Sequence, residues 1–322
     1  MLVEGKWSSD WHPVQATDKQ GGFVRQTSGF RDFISSDGST PFPAEPDRYH
    51  LYVALICPWA SRALIARRLK GLESLVSVTV VEPQLGAQGW RFGDFPGAQQ
   101  DPLNNAQYLH EIYTRMAPDY TGRATVPVLW DKKTGTIVSN ESADIVRMFN
   151  SGFGNLADNR IDLYPAALRA EIDALNESLY PRLNNGVYRA GFATTAISYQ
   201  QAFNDVFSQL DELEALLSDG RTFLLGERLT ETDIRLFVTL IRFDVAYHGL
   251  FKCNLRRIRD YTLLNRYLKS MLSVSGVRET VNIDHIKQGY YSIKALNPNG
   301  IVPAGPDMSE YGLDRKSTRL NS

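Results

Sequence analysis

Residues 50–69 read HLYVALICPWASRALIARRL. The run from His50 to Ile56 is rich in β-branched and aromatic side chains, which predicts a strand flanked on both faces. Pro58 fits the first turn of a helix, where its missing N–H costs nothing and its φ is already set. Cys57 therefore stands at a helix N-terminus. Unpaired backbone N–H groups and the helix dipole favour a thiolate there, and the expectation is a pKa below the free value of about 8.5. The thiolate is the nucleophile. The four residues CPWA end in Ala60, where a dithiol redox protein carries a second cysteine. A mixed disulfide on Cys57 thus has no neighbouring thiol to resolve it, and resolution falls to a small thiol in solution. Glutathione is the obvious cellular candidate. The blander reading, a cysteine merely packed at a helix start, leaves the proline and the strand-to-helix position unexplained.

The chain of 322 residues is long enough for two domains and a sizeable core. Its 35 Lys and Arg against 36 Asp and Glu give a net charge of -1, which offers nucleic acid or an anionic membrane no electrostatic handle. Two cysteines argue against a disulfide framework and for a reducing compartment. The opening residues, MLVEGKWSSD, lack an apolar run of signal-peptide length, and no later stretch approaches a membrane span. The expectation is a soluble cytoplasmic protein.

Residues 1–45 are rich in Gly, Ser, Asp and Pro with scattered Trp7, Trp11, Phe23, Phe30 and Phe33. A polar arm with aromatic anchors drapes over a folded body rather than forming its own core. Residues 46–155 then read as strand, helix, strand, helix, strand, strand, helix, the thioredoxin-like α/β arrangement with a mixed sheet covered on both faces. Leu75–Val81 is the second strand, Ala106–Met116 the second helix, and 125–130 with 136–139 the hairpin. Between them lies a long Gly-, Gln- and Pro-rich loop, Glu82–Leu103, which holds Trp90. Pro127 belongs at the start of its strand, where a cis bond would turn Val126 toward Cys57 and leave its N–H and C=O free for a bound peptide. Asn140, Glu141 and Ser142 open a last helix. Residues 163–305 read as an all-helical second domain, with amphipathic stretches at 166–183, 199–217, 234–240 and 262–272. Thr230 and Asp233 form a capping-box-like start for the third of these. The chain looks finished near Asp307. Residues 306–322 read as a tail whose end, RKSTRLNS, has the look of a translated cloning or sequencing-adapter remnant, or of a disordered terminus.

A thioredoxin-like domain followed by a helical one, with a reactive residue at the first helix, resembles the glutathione transferase superfamily. Five motifs narrow this: CPWA at 57–60, RATVPVLWDK at 123–132, SNESADIVRMFN at 139–150, LNNGVYRAGFA at 183–193 and DHIKQGYY at 284–291. Together, and in this order, they resemble the glutathionyl-hydroquinone reductases, the Xi-class glutathione transferases, over about residues 5 to 307. The resemblance implies that Cys57 attacks the sulfur of a glutathionyl-hydroquinone. The hydroquinone leaves, and a second glutathione releases oxidised glutathione from the mixed disulfide. It also implies a homodimer.

By the same resemblance Glu141 and Ser142 meet the γ-glutamyl ammonium and carboxylate of glutathione, for which a helix N-terminus bearing a hydroxyl and a carboxylate is complementary; alternatively they only cap the helix. Val126 is matched to the backbone contacts with the cysteinyl part and Trp90 to a stacking position near the sulfur. Arg123 pairs either with a glutathione carboxylate or with Asp119. Tyr188 and the tandem Tyr290 and Tyr291 match tyrosines that meet the hydroquinone hydroxyls, where a phenol can assist proton movement. Tandem tyrosines in an extended segment face opposite ways, so one of them serves, and the reading leans toward Tyr291. The opposing interpretation packs Tyr188 and Tyr290 into the domain interface. Gly289 before the tyrosines and Ser292 and Ile293 after them replace the family's usual histidine and serine–histidine pair, which bears on the ring site. Cys253 reads as structural. His110, His248 and His285 show no metal-ligand spacing, so no metal is expected. Two rivals share the fold: a general glutathione-dependent thioltransferase or dehydroascorbate reductase, which needs no ring-recognising tyrosines, and a non-catalytic binding or dimerisation module.

Overall fold

The computed structural model describes residues 1–9 and 16–313. Trp11 and the RKSTRLNS tail lie outside the described residues.

The arm contributes two small ladders. Strands β1 (Leu2–Val3) and β2 (Lys6–Trp7) pair antiparallel, and β3 (Ile34–Ser35) and β4 (Phe42–Pro43) pair parallel. Its aromatic residues anchor it to the body: Trp7 stacks on His110 at 4.8 Å, Phe23 meets Phe192 at 5.4 Å, and Phe30 lies against Tyr113 and Tyr120. An ion pair from Arg31 to Asp144, with nitrogen–oxygen distances of 2.6 and 2.8 Å, adds a polar tie.

The central sheet is built from β5 (Tyr49–Val53), β6 (Val76–Val80), β7 (Val128–Asp131) and β8 (Thr136–Ser139) in the order β6-β5-β7-β8. β5 runs parallel to β6 and antiparallel to β7. Every residue of β5 is buried, as its continuous apolar run requires when both faces are covered. The strand stops at Val53, three residues before the apolar run ends, because Ala54 turns the chain: its carbonyl accepts from the Cys57 N–H at 2.9 Å. Helix α1 (Pro58–Leu69) starts at once, with Cys57 extended at φ −76° and ψ 120° and Pro58 in the first turn. Pro127 sits just outside β7, and its bond to Val126 is cis. A buried ion pair from Arg48 to Asp131, at 2.9 and 2.6 Å, fastens the hairpin end of β7. Helix α2 (Leu109–Met116) precedes the hairpin. Helix α3 (Ser142–Arg147) follows it and runs on as a wider turn through Gly152.

The helical part comprises α4 (Arg169–Leu179), α5 (Gly186–Gly191), α6 (Ala196–Leu216), α7 (Glu231–Arg242), α8 (Thr262–Ser273) and α9 (Ile283–Tyr290). α7 has the expected box: the Thr230 N–H reaches Asp233 at 2.8 Å, and Asp233 also accepts from the Leu224 N–H and the Tyr267 hydroxyl, both at 2.9 Å. α1 packs against both α3 and α7, so the junction at Cys57 is held from two sides.

Two expectations need correction. The tandem tyrosines are helical: α9 ends on Tyr290 and Tyr291 is its C-cap, so the two diverge by about 100° rather than 180°. The folded chain also continues past Asp307. Met308, Tyr311 and Leu313 are buried, and the Tyr311 hydroxyl bonds Asn265 at 3.0 Å.

Candidate active site

Cys57 is partly buried, and its Sγ lies 3.7 Å from the carbonyl oxygen of Val126. Beside this contact opens a cavity of about 320 Å³, lined by Val126, Pro127, Arg123, Asn140, Glu141, Ser142, Trp59, Arg62 and Arg235, with Arg25 to Ser28 of the arm closing one side. Four of the residues read from the sequence as glutathione contacts, Arg123, Val126, Glu141 and Ser142, are brought together here. Trp90 is not among the lining residues; it is partly buried in the long loop, and its carbonyl accepts from the Leu109 N–H at 2.9 Å.

Glu141 both caps and faces the cavity, so the two readings of it do not compete. Its Oε1 accepts from the Ala143 N–H at 3.1 Å, and its Oε2 accepts from the Ser28 hydroxyl at 2.9 Å. The arm therefore orients this carboxylate. Around it stand the guanidinium groups of Arg62, Arg123 and Arg235. Burial and then the nearby charge of Arg235 push Arg62 down to about 9 against the smaller opposing pull of Glu141 and Glu231, and an incoming carboxylate would stabilise this cation further. One ammonium partner and several anion partners suit a γ-glutamyl tripeptide with two carboxylates.

Burial pushes the Cys57 thiol up from its ordinary value. The N–H groups of Ala60 and Trp59 and the charges of Arg242 and Arg25 act in the opposite direction. The helix start thus works as the sequence suggests, but in the open site desolvation outweighs it. Sequence reasoning missed Arg242, whose guanidinium is buried under the junction. Its Nε donates to the Ile56 carbonyl at 2.7 Å, and its Nη2 donates to the Leu55 carbonyl at 2.9 Å and the Ser61 hydroxyl at 2.7 Å. An arginine inside the apolar stripe ETDIRLFVTLIR, in phase with Val238, was the available signal.

A second group of side chains lies on the helical side. The Tyr188 and Tyr290 hydroxyls are 2.5 Å apart, and the Tyr290 and Tyr247 hydroxyls 2.8 Å. Phe251 and Phe192 pack beside them. Burial holds Tyr188, Tyr247 and Tyr290 above the usual phenol value, so all three stay protonated donors. Tyr291 points elsewhere, toward Gly249. Gly289 is demanded by packing: a Cβ there would lie 2.4 Å from Ile56 and 2.6 Å from the Pro83 carbonyl. Both tyrosine and glutathione regions meet at Trp59, whose ring is 6.2 Å from that of Tyr188.

Residues 56–151 match the family model for the glutathione S-transferase N-terminal domain, and 196–270 that for the C-terminal domain. The chain is 49% identical to the glutathionyl-hydroquinone reductase YqjG of Escherichia coli K12, over 97% of this chain and 98% of that one. It is 47% identical to the glutathionyl-hydroquinone reductase PcpF of Sphingobium chlorophenolicum, over 98% and 99%. The chain belongs to the glutathionyl-hydroquinone reductases, the Xi-class glutathione transferases. The glutathione-bound structure of the Escherichia coli reductase superposes with a TM-score of 0.88 at 44% identity, covering 99% of each chain. The Xi glutathione transferase from Phanerochaete chrysosporium does so with 0.87 at 49%, covering 90% of this chain and 94% of that one. The thioredoxin-like domain and its helical partner are thus the glutathione transferase fold. Among the described residues no cluster of three or more potential metal ligands occurs, and no helix is long and apolar enough to cross a membrane.

Proposed function

We propose that this reductase removes glutathione from glutathionyl-hydroquinones through a mixed disulfide on Cys57. The observation that carries the reading is the Cys57 thiol at the start of α1, beside the Glu141–Ser142 cavity and with no second thiol in reach; the other cysteine, Cys253, is fully buried in the helical part. In the chemistry, the Cys57 thiolate attacks the glutathione sulfur, the sulfur–sulfur bond forms and the carbon–sulfur bond breaks. The ring leaves with the bond's electron pair and takes up a proton as hydroquinone. Glutathione then attacks the mixed disulfide, giving oxidised glutathione and the free thiol.

Glu141 and Ser142 hold the γ-glutamyl end, the Val126 backbone the cysteinyl part and Arg123 a carboxylate. Tyr188 and Tyr290 hydrogen-bond the ring oxygens; their shared hydroxyl contact favours Tyr290 over Tyr291. Trp90, held in the loop outside the cavity, stacks near the glutathione sulfur once glutathione is bound. The enzyme works without a metal, in the cytoplasm, as a homodimer built from an arm at 1–45, a glutathione domain at 46–155 and a helical domain at 163–305.

The test is chromatographic. Purified protein with a glutathionyl-hydroquinone and excess glutathione should yield hydroquinone and oxidised glutathione in equal amounts, and Cys57→Ser should yield neither. Turnover of a simple glutathione mixed disulfide with the conjugate left intact would replace this reading by a thioltransferase.

A further inference from the structure

Arg25 belongs to the arm, yet its guanidinium stands where the glutathione and tyrosine regions meet. It lies 4.8 Å from the centre of the Trp59 ring and 4.8 Å from that of Tyr188. Its Nε donates to Asn185 Oδ1 at 3.0 Å, which fixes the plane of the group. Its Nη2 is buried and has no hydrogen-bond partner among the described residues. A buried guanidinium nitrogen without an acceptor carries a desolvation cost that a bound oxygen would remove. Arg25 also lines the cavity that Cys57 borders through Val126.

The reaction moves one negative charge through this place. The thioether first tautomerises: a ring hydroxyl proton moves to the carbon bearing sulfur and leaves a ring ketone. Attack of the Cys57 thiolate on the glutathione sulfur then returns the carbon–sulfur electron pair to the ring, and the ketone oxygen becomes a phenolate. Thiolate charge has become phenolate charge, and solvent supplies the proton on release. The tyrosine hydroxyls can donate hydrogen bonds to that oxygen, but burial raises their pKa values and makes them poor proton sources. A fixed cation is therefore needed while the charge persists.

We propose that Arg25 is a catalytic residue of the ring site, its unpartnered Nη2 binding the hydroquinone oxygen on which negative charge collects as the carbon–sulfur bond breaks. This rests on the reductase reading above. The arm is then part of the active site rather than a cover over it. Removing one preorganised donor at a developing oxyanion costs on the order of a hundredfold in kcat, and the loss should grow as the leaving phenol becomes less acidic.

The experiment compares wild type, Arg25→Gln, Arg25→Lys and Arg31→Gln on a set of glutathionyl-hydroquinones bearing methyl, no or chloro substituents, and on glutathionylated cysteine, whose leaving group has no ring. Arg31→Gln breaks the arm's ion pair with Asp144 but leaves the ring-site charge, and should keep kcat within about threefold. The expected result is an about hundredfold loss for Arg25→Gln on the conjugates, steepest for the methyl compound and small on the mixed disulfide. KM for glutathione should stay unchanged, and Arg25→Lys should recover part of the rate. Equal losses on both substrate types, a raised glutathione KM with kcat intact, or the same loss in Arg31→Gln would each overturn the role for Arg25. Wild type inert toward every conjugate would instead overturn the reductase reading.

Discussion

The Cys57 thiol faces the Val126 carbonyl oxygen across 3.7 Å, with the buried Arg242 holding the carbonyls of Leu55 and Ile56 on the other side of the same junction. A carbonyl acceptor suits a protonated thiol, and burial pushes its pKa in the same direction. In the free protein the Cys57 alkylation rate should therefore rise with pH to a midpoint above the ordinary cysteine value of about 8.5. Iodoacetamide kinetics from pH 6 to 10, with Cys253 protected by burial, measure this directly. A midpoint below 7 would show that the helix start and the two arginines outweigh desolvation.

Arg242 supports the junction by hydrogen bonds that solvent cannot replace, since the residue is 2% exposed. Arg242→Met leaves several buried acceptors unpaired and should cost roughly 2–5 kcal/mol. Urea unfolding gives the number. Arg242→Lys can serve one or two of these acceptors and should fall between; a loss below about 0.5 kcal/mol for the methionine variant would remove Arg242 from the account.

Glu141 does two jobs that substitution can separate. Glu141→Gln keeps a capping oxygen and should leave the melting temperature near the wild-type value, while glutathione KM rises about tenfold through loss of the ammonium partner. Glu141→Ala loses the cap as well, at about 1 kcal/mol. If Glu141→Gln binds glutathione as tightly as wild type, the carboxylate is only a cap.

Tyr290 and Tyr291 offer an internal comparison. Tyr290→Phe removes the centre of the hydroxyl chain from Tyr188 to Tyr247 and should lower kcat on a glutathionyl-hydroquinone by about tenfold to a hundredfold. Tyr291→Phe, next in sequence but directed at Gly249, should stay within about twofold. The reverse ranking would return the ring site to Tyr291.

The junction, the hairpin and the γ-glutamyl end of the site are legible in the sequence because their signals are local. Cys57–Pro58 announces a helix start, Pro127 excludes a central strand position, and Glu141–Ser142 marks a cap, all within a few residues. The tyrosine geometry needs a longer window: Asn282 caps this helix and Ile283, Ile286 and Tyr290 recur at i, i+3 and i+7, but the motif DHIKQGYY taken alone begins after the cap and the first apolar position, so it reads as extended. Arg25 and Ser28 are harder still. They sit in a polar arm whose composition says nothing of the residues Trp59, Tyr188 and Glu141 that it meets more than thirty positions away. Arg242 is marked by its place in an apolar stripe, but its partners lie on another domain.

The central claim is that Cys57 carries glutathione during turnover, and intact-protein mass spectrometry tests it most directly. One equivalent of a glutathionyl-hydroquinone, mixed with reduced enzyme and no free glutathione, should release about one equivalent of hydroquinone and leave the protein heavier by one glutathionyl group at Cys57. Added glutathione should then restore the original mass. Release of hydroquinone from an enzyme whose Cys57 stays unmodified would contradict the account.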